Sequence, residues 1–269
     1  MKRYLWILLI FLGGCSSLFS SHEGTHIQEP TLAIMSYNIH TGKGMDGYSS
    51  LQRIVEEINS TGADIVGLQE LDRNTKRNPL DQPSKLEKLS GFNVVFSKNL
   101  EYQGGAYGIA IMSRFPIYET RILHYTEIPE RETRGALAVK IQPESPRLRA
   151  PIWFVTTHLG TDKTGEEQAQ QVKELLAWLE SFDQNACFIV TGDFNQVPDS
   201  LAIRLMSENY VDLWNMGGEN SGYTFNAVQP TKRIDYLFIR KGDFKSCTNA
   251  FVPHTRGSDH RPVVARVLW

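Results

Sequence analysis

A chain of 269 residues with ordinary proportions of apolar (41%) and charged (22%) side chains is long enough for one large core, and its length alone also permits two small domains. The formal net charge is -2, and removal of residues 1–14 would take Lys2 and Arg3 with it and leave -4. Bulk charge therefore gives no general attraction to nucleic acid and no support to a DNA-coating role, while leaving room for a nuclease with a local basic patch.

In chain order, Met1-Lys2-Arg3 and the apolar run at 4–12 have the charged and hydrophobic regions of a secretory signal, and the run is short for a bilayer span. Leu12-Gly13-Gly14-Cys15 resembles a bacterial lipobox, which implies a signal peptide over 1–14 and a lipid on Cys15. A plain signal peptide cut further on is the alternative. Residues 15–30 are small and polar with little apolar periodicity, as a lipid-attached tether would be, and the domain is expected over 31–269. Export permits a disulfide between Cys187 and Cys247, although a Cys inside an apolar strand is more often a small buried residue. No zinc site is expected.

Strands are expected at 32–37, 65–68, 92–96, 107–112, 118–123, 136–141, 153–157, 188–191, 234–239 and 263–267, with Cys247 in a further one. Helices are expected at 51–59, capped by Ser49 or Ser50, at 166–179 and at 201–206. The longest irregular stretches are 74–83 and 127–132. Many strands lie too close together for crossover helices, so much of the sheet must be antiparallel or mixed. The fold class is α/β, with sheets packed on each other and helices outside.

The polar residues of interest stand where apolar runs end. In Thr191-Gly192-Asp193-Phe194-Asn195 a carboxylate able to accept a proton from water and an amide able to orient it stand two residues apart. An Asx turn that merely ends a strand is the competing reading. Asp235 is a carboxylate in an apolar strand, where an unpaired charge would cost several kcal/mol. Pairing with His260, in Ser258-Asp259-His260-Arg261-Pro262, would satisfy it and set the imidazole tautomer; a salt bridge to Arg233 is the alternative. Glu70, after Leu68-Gln69, is the obvious oxygen ligand for a hard cation such as Mg²⁺. His158, after Thr156-Thr157, suits a phosphoryl oxygen, and a structural His suits that position equally.

Together with Ser36-Tyr37-Asn38, these motifs stand in the order of the endonuclease/exonuclease/phosphatase (DNase I-like) superfamily, which the chain resembles over nearly all of residues 31–269. The resemblance implies a four-layer α/β sandwich of two mixed sheets face to face with helices outside. It implies Mg²⁺, or Mn²⁺, on Glu70 with help from Asn38 and Asp259. Asp193 and Asn195 would position or activate water, Asp235 and His260 would form a catalytic pair, and His158 would contact the phosphoryl group. Three further stretches, His40-Thr41-Gly42-Lys43-Gly44-Met45-Asp46, Glu70-Leu71-Asp72-Arg73 and Glu132-Thr133-Arg134-Gly135-Ala136, are similar to bacterial and membrane-associated members. Arg73, Arg134 and Tyr107 would then bind substrate, although Ile109 stands where relatives carry Asn. The function so implied is metal-dependent phosphoester hydrolysis by a monomer in the bacterial cell envelope, periplasmic or on the outer surface. A phospholipid headgroup or a nucleic acid is the candidate partner. A secreted nuclease and a non-catalytic phosphate-binding module are the alternatives.

Overall fold

The computed structural model describes residues 31–143 and 150–268; the expected signal segment, the Cys15 lipid site and the tether lie outside them. Two six-stranded mixed sheets carry the fold. The first runs β11 (Ser246–Phe251), β12 (Val263–Leu268), β1 (Thr31–Asn38), β2 (Ile65–Arg73), β4 (Gly105–Ser113), β3 (Asn93–Tyr102). The second runs β5 (Ile117–His124), β6 (Gly135–Ile141), β7 (Ile152–His158), β8 (Cys187–Asp193), β10 (Asp235–Arg240), β9 (Tyr210–Asp212).

Alternation along the strands builds three apolar layers. Leu32 and Ile34 of β1 meet Phe154 of β7 and Ile189 of β8 in the layer between the sheets. The intervening Met35 and Tyr37 face outward onto Ile54, Val55 and Ile58 of α1 (Leu51–Thr61) and Leu86 of α2 (Gln82–Ser90). On the far side, Trp153, Phe188 and Val190 pack under Val172, Leu175 and Leu179 of α3 (Glu166–Glu180) and Ile203 and Met206 of α4 (Leu201–Asn209). A short α5 (Trp214–Gly217) packs on β11. The four-layer α/β sandwich expected from the sequence is the observed fold.

Local signals explain the helix bounds. Ser50 caps α1 by accepting from the Arg53 N–H, and Gly62 ends the helix in a left-handed conformation. Residues 74–83 are irregular only as far as Asp81, which caps α2 by accepting from Ser84 N–H, with Pro83 in the first turn. The apolar side of α2 is sparse, with Leu86 buried and Leu89 partly so, and its helical period is correspondingly faint.

The two sheets repeat one device. β1 and β2 are parallel and connected through α1; β7 and β8 are parallel and connected through α3. These pairs lie near the middle of their sheets and bring their C-terminal ends to one edge of the sandwich. Asn38 and Gln69 are register partners in the first sheet, as are His158 and Asp193 in the second, and antiparallel β10 sets Asp235 opposite Asp193. The sheets touch closely there. A Cβ on Gly67 of β2 would lie 2.4 Å from Thr191 Oγ1 and 2.5 Å from Thr156 Oγ1, and Gln69 reaches across to donate to Thr156 Oγ1 at 2.8 Å.

Candidate active site

Asp193 ends β8 fully buried, and its two oxygens do different things. Oδ1 accepts from the Asn195 N–H at 2.9 Å, closing the Asx turn that the sequence admitted as a competing reading. That turn is a positioning device, because it aims Oδ2 at three groups: Asn38 Nδ2 at 3.1 Å and the Nε2 atoms of His158 and His260 at 3.6 Å each. The two imidazole contacts are longer than hydrogen bonds. Asn195 holds a left-handed backbone, and its side-chain nitrogen donates to the Leu159 carbonyl at 3.1 Å, which leaves its amide oxygen to accept from water.

The two histidines have opposite characters. His158 Nδ1 lies 3.0 Å from Arg134 Nη1, and a guanidinium can only donate, so Nδ1 accepts and the proton sits on Nε2. Burial, with the charges of Arg134 and His260 beside it, holds His158 well below the ordinary histidine range, and it stays neutral. His260 Nδ1 lies 2.9 Å from Asp235 Oδ2. Burial by itself would lower His260, but the negative charges of Asp235 and Asp193 outweigh it and raise it to about 10. Burial, reinforced by the charge of Asp235 and opposed by His260, pushes the Asp193 carboxyl up from its ordinary range. Charge holds His260 as an imidazolium against Asp235 and beside Asp193, whose carboxyl is pushed up to about 7, while His158 faces the same Asp193 oxygen with a neutral N–H donor. Arg233 pairs instead with Asp212 at 2.6 Å, leaving Asp235 to His260.

Glu70 approaches from the other sheet. A bulge between Leu68 and Leu71 breaks the β2–β4 register, and Glu70 takes a positive φ of 63° within it, which turns its carboxylate off the sheet. Asn38 Nδ2 donates to Glu70 Oε1 at 3.0 Å and to Asp193 Oδ2 at 3.1 Å, so one amide group bridges carboxylates of the two sheets. The Asn38 oxygen accepts from the His40 N–H at 3.1 Å. Asn38 therefore faces the carboxylates with its nitrogen and positions Glu70, where an oxygen ligand was expected. Ser258 donates to the Asn38 carbonyl at 2.7 Å and so brings Asp259 beside the end of β1, where it lies 3.6 Å from His40 Nδ1.

Of the residues expected on substrate, Arg134 and Tyr107 line a cavity of about 380 Å³ that includes Glu70. Burial and the nearby Glu70 charge raise the Tyr107 hydroxyl well above its ordinary range, so it remains a neutral donor. Arg73 does not line that cavity: it pairs with Asp81 at the cap of α2, at 3.2 Å. Arg77 lines it instead, held by buried Asp72 at 2.7 Å and lying 4.4 Å over the Tyr102 ring. Arg77 sits on an irregular segment without periodicity and carries no sequence signal of its own.

Residues 35–260 match the endonuclease/exonuclease/phosphatase family. The chain belongs to that family. Its members hydrolyse phosphoester bonds and commonly bind a divalent metal. The chain is 26% identical to YbhP of Escherichia coli (strain K12), an uncharacterised protein, over 89% of this chain and 97% of that one. Its fold is similar to an endonuclease/exonuclease/phosphatase from Beutenbergia cavernae (TM-score 0.74, 22% identity, covering 88% of this chain and 71% of that one). It is also similar to the Bacteroides thetaiotaomicron mannosyl-6-phosphatase Bt3783 (TM-score 0.70, 17% identity, covering 88% and 100%).

The donor set fits the family's metal. Glu70 and Asp193, from opposing sheets, converge on one amide nitrogen, Ser258 brings Asp259 to the end of the same strand, and hard oxygen donors of this kind suit a divalent cation. Asp193, Asp235 and His260 also offer atoms within 4.8 Å of one another. His260 Nδ1 is committed there to Asp235, and that trio is better suited to holding a proton than a cation.

Proposed function

We propose that this chain is a Mg²⁺-dependent phosphoester hydrolase that uses water as nucleophile and acts outside the cytoplasm. The observation that carries the reading is the convergence of a carboxylate, a neutral imidazole and a charged imidazole on one point: Asp193 Oδ2, with both Nε2 atoms 3.6 Å away. A phosphoryl oxygen or an attacking water placed between them would meet a proton acceptor and two N–H donors at once.

Glu70 and Asp259 would hold the Mg²⁺, with Asn38 fixing the Glu70 rotamer; the ion would supply charge neutralisation at the phosphoryl oxygens. The remaining work belongs to the side chains. Asp193 accepts a proton from water, and the Asn195 amide oxygen accepts a hydrogen bond from the same water and orients its lone pair. His158 donates through Nε2 to a phosphoryl oxygen, its tautomer locked by Arg134. His260, charged and braced by Asp235, places a second donor where negative charge grows. Water as nucleophile rests on the absence of a better one among these residues: the site groups are carboxylates, amides and imidazoles already committed to one another.

The extracytoplasmic location, in the bacterial envelope, is supported by the segment ending at Cys15, whose charged start, apolar run and Leu-Gly-Gly-Cys end resemble those of an exported lipoprotein. Incubation with p-nitrophenyl phosphate, bis-p-nitrophenyl phosphate, phospholipid vesicles and DNA, in Mg²⁺ or Mn²⁺, tests the activity. Turnover that EDTA abolishes and that Asp193→Ala lowers at least about a hundredfold is expected. Equal turnover by wild type and variant would sink the proposal.

A further inference from the structure

The reacting centre lies between two cavities. One, of about 380 Å³, contains Glu70 and is lined by Lys43, Arg77, Tyr102, Tyr107 and Arg134. The other, of about 390 Å³, contains Asn195 and His260 and is lined by Lys163, Lys232 and Phe225. The chain of contacts Glu70, Asn38, Asp193, His260 runs from one to the other. Neither cavity includes the site residue that marks its counterpart, so they reach the centre from opposite ends of that line.

From this arrangement, and resting on the phosphoester reading above, we infer that the substrate is a phosphodiester with a polar substituent on each side of phosphorus, one in each cavity. A phosphomonoester has one substituent and would leave one cavity unused. Each cavity is within the size range of a small-molecule site in its own right. Each offers an aromatic wall beside a cation. On the Glu70 side, Arg77 is stacked 4.4 Å over Tyr102 and 5.4 Å over Tyr107. On the His260 side, the Phe225 ring lies 4.9 Å from the imidazole.

The cations differ in what they are free to do. Arg77 is neutralised by Asp72, and Arg134 is engaged by His158 and by Glu132 at 2.8 Å, so these two shape the wall. Among the described residues, Lys43, Lys163 and Lys232 have no side-chain partner, and they stand on both sides of the centre, one in the first cavity and two in the second. An ammonium beside a cavity and without an internal acceptor is available to hydroxyl, carbonyl or anionic oxygens of a ligand. Glu132 and Asp162 also line the two cavities, but arginines engage them, Arg134 at 2.8 Å and Arg131 at 3.0 Å, so the uncommitted charge on both sides is positive and favours two polar ester groups.

The test compares p-nitrophenyl thymidine 5′-phosphate, a diester with polar and aromatic groups on opposite sides, with p-nitrophenyl phosphate, using the full chain in Mg²⁺. Wild type is expected to prefer the diester at least about tenfold in kcat/KM. Lys43→Ala and the pair Lys163→Ala with Lys232→Ala are each expected to raise the KM for the diester by about fivefold, the scale of one partly exposed charge-assisted hydrogen bond, with a smaller change in kcat. Preference for the monoester, or a diester KM that responds to one cavity and not the other, would overturn the inference while leaving the phosphoester reading in place. Absence of metal-dependent turnover on either compound would overturn that reading and this one with it.

Discussion

At the residue scale, the site is a contest between burial and charge that two neighbouring histidines resolve differently. Burial dominates at His158, which stays neutral; the Asp235 and Asp193 charges dominate at His260, which holds its proton. Replacing Asp235 by Asn keeps an acceptor for Nδ1–H and removes the charge that raises His260. We expect Asp235→Asn to lower kcat by about 10² to 10⁴ with little change in KM, read by steady-state kinetics. His158 carries a pH signature of its own. Unfolded, it takes up a proton near pH 6.5, and folded it refuses one until well below that. The unfolded chain therefore binds more protons below pH 6.5, and stability falls as pH drops through that window. Urea unfolding at pH 7.5 and pH 5.0 should show wild type losing at least about 1 kcal/mol more than His158→Gln between the two, against parallel losses if the residue titrates normally.

Among elements, the same edge of the sandwich explains why the site was legible before the structure. Asn38, Glu70, His158 and Asp193 each close a strongly apolar run, and a polar group in that place is conspicuous in sequence because β periodicity stops there. The pairing of Asp235 with His260 was likewise legible, since a carboxylate inside an apolar strand needs a partner. Two things were not. The direction in which Asn38 presents its amide depends on the His40 N–H that claims its oxygen, a tertiary contact without any sequence pattern. Arg77 owes its place to buried Asp72 and to the β3–β4 turn, where its N–H donates to Gln103, and Arg73, three residues after Glu70 on β2, points to Asp81 instead. Gly67 was silent for another reason, because its role is to have no side chain where two sheets touch. We expect Gly67→Ala to cost about 3 kcal/mol by chemical denaturation, as the sheets must separate around the new methyl group. Gly91, at the end of α2, has a positive φ and open space around it, and Gly91→Ala should cost only about 1 kcal/mol. Equal losses at the two positions would mean that the inter-sheet contact is softer than its distances imply.

On the scale of the whole molecule, two β-α-β units, one in each sheet, meet face to face and pool the ends of their parallel strands. Neither sheet holds the candidate site alone: the first contributes Asn38 and Glu70, the second His158, Asp193 and Asp235, and the loop before β12 closes the set with Asp259 and His260. The layered fold was legible from the spacing of apolar runs, whereas the two cavities flanking the centre are closed by loop residues such as Lys43, Arg77, Lys163 and Lys232 and could not be read from periodicity. Metal removal should act on activity far more than on the fold, because the inter-sheet core is apolar and independent of the acidic cluster. The proposed central step is attack on phosphorus by a water activated at Asp193. Hydrolysis of bis-p-nitrophenyl phosphate by the Mg²⁺-loaded chain in ¹⁸O-labelled water, with mass spectrometry of both products, measures that step directly. One ¹⁸O atom in p-nitrophenyl phosphate and none in p-nitrophenol is the predicted result; label in the phenol, or the same yield of labelled phosphate from Asp193→Ala, would contradict it.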